Sequence, residues 1–255
     1  MYLDSEIKLE KKLVELKKNF GLSAIKAEFE AEGSSIDDIS RLRNITNRNK
    51  IKLFVKIGGA EALNDIYTCV ELGIDGIIAP MIETSFALIK FKESIINLKL
   101  KRLPYLSINI ETKSAIKNID QILKISHNFL NNITIGRSDL VKSYFDKNIN
   151  QNSDMITNEI LYLIKKIKKE KLKITVGGGI DNETIKKFNK IKKISLIDNL
   201  ETRKVILPSK IMLNKRGALN NALLFEEQYI LYKKEIKELR LSKSLNRIEN
   251  LRSRK

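Results

Sequence analysis

The chain of 255 residues is long enough to bury about three quarters of its unfolded surface around one core. Its 42% hydrophobic and 31% charged content excludes a disordered chain, and a single cysteine and a single histidine, Cys69 and His127, exclude an internal disulfide and a zinc site of four nitrogen and sulfur ligands. The net charge of +17 rests on 37 Lys against 11 Arg, and this Lys surplus beside abundant Ile and Asn fits base-composition bias better than the Arg-led chemistry of nucleic-acid readers, so nucleic acid is not expected as a partner.

In chain order, residues 4–19 read as a leading helix, and from Ala24 onward short β-branched runs alternate with longer amphipathic stretches. Strands are predicted over 24–30, 51–57, 73–80, 104–111, 132–137, 171–177, 194–198 and 203–207. Helices are predicted over 35–48, 60–72, 84–98, 114–127, 154–170 and 182–190, several of them opening on Ser, Thr, Asp or Asn as helix N-caps do. Continuous apolar strands such as IIAP and ITIG indicate burial on both faces, and strict alternation over this length favours a (β/α)8 barrel over a doubly wound sheet.

The organisation expected is one barrel domain, residues 1–217 including the leading helix, followed by a long C-terminal helical tail over 218–255. In the tail Tyr229, Tyr232, Ile236, Leu239, Leu245, Ile248 and Leu251 form a partial apolar stripe, read as packing on this or a neighbouring subunit of a homo-oligomer. No apolar run approaches the roughly 18 residues a membrane span needs, and the N-terminal MYLDSEIKLEKKL lacks the pattern of a signal peptide. A cytoplasmic protein with no membrane partner is expected.

In such a barrel the chemistry comes from the C-terminal ends of the strands, so polar residues that close apolar runs carry the weight. They are Glu28, Glu30 and Glu32 in KAEFEAEG, Lys56 with Gly58 and Gly59 in LFVKIGG, Glu83 in IIAPMIET, Asn109 and Glu111 in LSINIET, and Arg137, Ser138 and Asp139 in ITIGRSDL. Glu111 and Asp139 could meet across the rim as an oxygen site, and with soft ligands absent Mg²⁺ or Mn²⁺ is the physical expectation. The alternative for the two acids is helix capping or pairing with the surplus Lys. Gly58 with Gly59, and Gly177 to Gly179, could form backbone nests for an anion or simply tight turns. His127 and Cys69 are read as surface or structural positions.

The ordered set KIGGAEALNDIYTCVELGIDGIIAPMIETSFAL, INIETKSA, TIGRSDL, VGGGI and LETRKV, spanning roughly residues 25–207, resembles the HpcH/HpaI aldolase and citrate lyase β-subunit family. The resemblance implies a (β/α)8 barrel that uses Mg²⁺ or Mn²⁺ to act on a pyruvate-like 2-oxo acid, or to cleave a carbon–carbon bond in an acyl-CoA. It implies Glu111 and Asp139 as metal ligands, Asn109 as a substrate-side amide, and the 136–140 turn, with Gly136, Ser138 and Asp139, as the segment that holds the substrate carboxylate. Glu201, Thr202 and Arg203 match a family segment and are assigned to the rim, with Arg203 a reserve cation.

The chain departs from the aldolases of that family at two positions: Lys56 stands where they carry an Arg, and Gly33 where they carry a His. Lys56 supplies charge without a bidentate fork. Proton transfer then falls to a carboxylate or a metal-bound water, with Glu30 the first choice and Glu32 the second. Glu28 and Glu30, two apart on a strand, would share a face. The leading reading is a divalent-metal-dependent aldolase-type lyase acting on a 2-oxo acid through a pyruvate-like enolate. The alternatives are cleavage of a CoA thioester, Schiff-base chemistry at Lys56, and a non-catalytic barrel that binds an acidic partner.

Overall fold

The computed structural model describes residues 3–254, so the last residue of the predicted tail, Lys255, lies outside it. The elements in chain order are α1 (Asp4–Phe20), β1 (Ala24–Glu28), α2 (Ile36–Arg48), β2 (Leu53–Lys56), α3 (Leu63–Glu71), β3 (Gly76–Ala79), α4 (Ser85–Ile96) and β4 (Tyr105–Ile110). They continue with α5 (Lys113–Lys117), α6 (Ile119–Ser126), β5 (Asn132–Gly136), α7 (Arg137–Lys142), α8 (Asp154–Ile167), β6 (Lys173–Gly177) and α9 (Asn182–Asn189). The chain closes with β7 (Asn199–Glu201), β8 (Val205–Pro208), α10 (Ser209–Asn214) and α11 (Ala218–Arg252). The eight strands form a closed barrel in sequence order.

Local chemistry sets the helix starts. Ser35 caps α2 with a reciprocal box to Asp38, and the Thr84, Thr112, Ser153 and Asp181 side chains accept the N–H three residues on. Between barrel and helices lies one continuous apolar core, which includes Leu9, Leu13 and Leu16 of α1 and Phe225, Tyr229 and Tyr232 of α11. α1 and α11 pack along one another. α11 begins at Ala218, and the first half of the tail is part of the barrel's core. Beyond Ile236 the apolar residues Leu239, Leu241, Leu245, Ile248 and Leu251 are exposed. Among the described residues no helix is long and apolar enough to cross a membrane.

Two features differ from the sequence expectation. The run predicted as a strand over 194–198 is a short 3-10 turn, Lys192–Leu196, and β7 follows it. Its apolar residues Ile194 and Ile197 are three apart, a helical rather than an alternating spacing, and both are buried. The second difference is strand direction. β1 through β7 are parallel, but β8 runs antiparallel to both β7 and β1, with Glu201 paired to Ile206 and Ile25 to Val205. Only Thr202 to Lys204 separate β7 from β8. A parallel crossover needs a dozen residues or more, so this link forms a hairpin and puts its tip at the C-terminal mouth.

The barrel interior divides by chemistry. Ala24, Phe54, Ile78 and Ile206 form a small apolar cluster, with the Tyr105 ring stacked on Phe54 at 4.9 Å. Elsewhere the inward residues are polar, and the Asn132 amide bridges Ser107, Thr134 and Thr175 at 2.8, 3.1 and 3.0 Å. Most barrels of this class fill those layers with branched apolar side chains.

Candidate active site

At the mouth a cavity of about 240 Å³ is lined by, among others, Lys56, Asn109, Glu111, Ser138, Asp139 and Glu201. Glu111, the first residue after β4, is 4% exposed. Its Oε1 accepts the Met81 N–H at 3.0 Å, and its Oε2 accepts from Asn109 Nδ2 at 3.2 Å. Met81 holds that N–H in place with φ +52°, a left-handed conformation that costs an ordinary residue free energy and clusters at functional sites. Asn109 on β4 and Glu111 just beyond its end both line the cavity.

Asp139 comes from the first turn of α7 and pairs with Lys142 at 3.0 Å. Burial is the main influence pushing the Glu111 carboxyl above its ordinary value. The charge of Asp139 adds to that shift, against hydrogen bonds from Met81 and Asn109 and the nearby charge of Lys56. The two acids thus sit close enough to oppose one another, the situation a cation relieves.

Gly136 closes β5 against Glu111: a Cβ there would lie 2.6 Å from Glu111 Oε2. Ser138 lines the cavity, and Gly178 of the β6–α9 loop closes on the N–H groups of Arg137 and Ser138. Arg137, expected at the strand mouth, is instead fully buried behind it. Its guanidinium donates to the carbonyls of Gly177, Gln151 and Gly179 and to Asn152 and Thr184 at 2.9–3.3 Å, clamping the glycine-rich loop.

Beside the acids runs a chain of buried charges of alternating sign. Lys56 Nζ lies 3.0 Å from Glu28 Oε2, Glu28 Oε1 lies 3.4 Å from Lys26 Nζ, and Lys26 Nζ lies 2.6 Å from Glu201 Oε1. Burial alone would lower the Lys26 ammonium; the charges of Glu201 and Glu28 outweigh it and hold the group above the ordinary lysine value. Burial likewise would raise Glu28, but Lys26 and Lys56 keep its carboxyl below the usual range.

The structure places Glu30 elsewhere. β1 ends at Glu28, so strand alternation does not reach residue 30, and Glu30 is exposed against Gly58, beside Asp65 and outside the cavity that holds Glu111. Glu32 forms an ion pair with the buried Lys204 instead of facing the mouth. Gly33 has φ +53°, a turn position that a side chain such as His would strain. The Gly58 N–H is taken by Asp65 at 2.7 Å, which removes it from an anion nest. Cys69 is buried packing and His127 an exposed residue at the end of α6.

The sequence does not single out Lys26, and it assigns Glu201 to the rim rather than to the chemistry. Lys26 had a usable signal, an opposite charge two residues before Glu28 on one strand face. The misplaced seventh strand hid that Glu201 is the last residue of β7.

Among the described residues no three His, Cys, Asp or Glu side chains converge as a metal cage. The pair Glu111 and Asp139 nevertheless fits Mg²⁺ or Mn²⁺. Mg²⁺ retains several waters and is usually held by one or two carboxylates, and here two mutually opposed acids share one wall.

No family model and no curated protein sequence matches the chain. Among solved structures it is similar to the HpcH/HpaI aldolase from Desulfitobacterium hafniense DCB-2, at 11% identity over 79% of this chain and 83% of that one, with a TM-score of 0.60. It is also similar to a variant of the citrate synthase SbnG, at 15% identity over 94% and 90% and a TM-score of 0.58. A third is the protein CitE from Mycobacterium tuberculosis in complex with magnesium and acetate, at 13% identity over 87% and 93% and a TM-score of 0.54. At these identities the likeness is one of fold. The chain has the barrel of the HpcH/HpaI aldolase and citrate lyase proteins over most of its length.

Proposed function

We propose that the protein is a divalent-metal-dependent carbon–carbon lyase of the aldolase type, acting on a 2-oxo acid with pyruvate or a close relative as product. The observation that carries this reading is the buried Glu111 carboxylate set against Asp139 at the mouth of a barrel of this fold. Glu111 and Asp139 would hold Mg²⁺ or Mn²⁺, which supplies Lewis-acid stabilisation of the negative charge that develops on the 2-oxo acid as the bond breaks.

The chain's own groups do the rest. Lys56 faces the cavity as a point charge beside the developing oxyanion, a role in which preorganised charge counts for more than in water. Asn109 commits its Nδ2 to Glu111 and leaves its buried Oδ1 without a partner, an acceptor for a substrate hydroxyl. Gly136 leaves room for the Glu111 carboxylate, and Ser138 offers a hydroxyl to the substrate carboxylate from the same wall.

Calorimetric titration with Mn²⁺ tests this. The wild type should bind, and Glu111→Ala and Asp139→Ala should each weaken binding at least tenfold. No binding by the wild type, or variants that match it, would overturn the reading.

One observation favours a second reading, cleavage of a CoA thioester. A groove of about 510 Å³ lined by Arg203, Lys233, Lys234 and Lys237, with Glu32, Glu226 and Glu238 among them, adjoins the mouth, with which it shares Arg203 and Ala31. Those cations suit nucleotide phosphates. Failure of CoA to bind at low salt would dismiss it.

A further inference from the structure

Glu201 is the one buried carboxylate of the mouth, among the described residues, with an oxygen left over. Both oxygens of Glu28 face lysines, and both oxygens of Glu111 accept hydrogen bonds. Glu201 gives Oε1 to Lys26, while its Oε2 is buried without a hydrogen-bond partner. A buried unpaired carboxylate oxygen is expensive unless something visits it. The side chain is 95% buried, since its relative exposure is 5%, and it packs on Gly177, where a Cβ would lie 2.7 Å from Glu201 Cγ.

Glu201 also borders a second space. Below the mouth a chamber of about 220 Å³ inside the barrel is lined by Glu201 and by the polar side chains of Ser107, Asn132, Thr134 and Thr175. Glu201 and Thr134 line both spaces. At about 30 Å³ per molecule the chamber has room for several waters beside these hydroxyl and amide groups, with Phe54, Ile78 and Ile206 forming its apolar wall. Lys26, kept charged by its two acids, fixes the carboxylate at the boundary.

We infer that Glu201 is the proton-transfer residue of the lyase, exchanging its proton with water in the polar chamber beneath it. This rests on the lyase reading and names the group that reading leaves open. In cleavage of a 4-hydroxy-2-oxo acid, the O–H bond at C4 breaks and its proton passes to Glu201 Oε2. The electron pair of that bond forms the aldehyde carbonyl, the C3–C4 bond breaks, and its pair enters the enolate of pyruvate. After the aldehyde leaves, Glu201 returns the proton to C3, giving pyruvate and restoring the carboxylate. In the reverse half-reaction Glu201 takes a proton from the pyruvate methyl group.

The test follows deuterium uptake into the pyruvate methyl group by proton NMR in D₂O with Mg²⁺. Wild type should exchange, Glu201→Gln should lose at least a hundredfold in rate, and Glu201→Asp, which keeps the charge facing Lys26 but draws it back, about tenfold. Circular dichroism melting reports whether each variant is folded. If Glu201→Gln does not fold, a folded Glu201→Asp decides. Wild-type exchange retained by a folded variant overturns the inference alone, and a wild type that exchanges nothing overturns the lyase reading and the inference with it.

Discussion

Gly136 and Glu111 are fitted to one another across β4 and β5: the carboxylate occupies the space a side chain at 136 would need, with Oε2 2.6 Å from the position of that missing Cβ. Gly136→Ala should therefore move Glu111, not merely stiffen a turn. The expected result is a loss of about 1–3 kcal/mol by urea denaturation, the usual cost of overpacking, with Mn²⁺ affinity down at least tenfold. Gly59→Ala, with nothing within 4 Å of the added carbon, is the control and should change neither.

Lys26 stands between two buried acids. Lys26→Met leaves Glu28 with Lys56 alone and Glu201 with nothing, and removal of one partner from a buried ion pair costs about 3–5 kcal/mol. Adding Glu201→Gln should restore part of that loss. Chemical denaturation of the single and double variants measures the coupling.

Glu111 burdens the fold it serves. Its carboxyl value is raised by burial, so at neutral pH the charged form is less favoured in the folded than in the unfolded chain. In the presence of a chelator Glu111→Gln should be more stable than wild type at pH 7. The gap should narrow as pH falls through the raised folded value, where wild type gains a proton on folding, and vanish below the ordinary value of 4.5, where both states are protonated. Melting temperatures across pH 4 to 8 check the sign.

The far half of α11 should be dispensable for folding. Its buried residues end at Tyr232, and its last bond to the barrel runs from Arg240 to Asp37 at 2.7 Å. Truncation after Leu241 should leave Tm within about 2 °C, since exposed terminal backbone carries little of the stability. Truncation before Phe225, which is fully buried in the shared core, should prevent cooperative unfolding altogether.

Much of this was legible in the sequence, and the limits were physical. Caps such as Ser35 and Thr84 announced helix starts because their side chains serve the adjacent N–H groups, and Asn109, Glu111 and Asp139 line one cavity because they lie at or just beyond the ends of apolar strands. Glu30 was misplaced because alternation says which residues share a face but not where a strand stops. β8 was misdirected because an apolar run has no polarity; only the three-residue link from Glu201 to Val205 excludes a parallel partner. The charge chain from Lys56 to Glu201 joins three strands, β1, β2 and β7, and no local window contains it.

The reversed eighth strand also limits how this barrel can diversify. Six of the mouth's connections, those after β1 to β6, lie between a strand and a helix and can lengthen without touching the sheet. The seventh, between β7 and β8, is a tight turn whose length sets the register of Glu201 with Ile206 and, through β8, of Ile25 with Val205. A single inserted residue there would slide the seam that closes the barrel and turn inward-facing side chains outward. New specificity can grow on the six loops after β1 to β6, while the side that carries Arg203 is bound to the barrel's own closure.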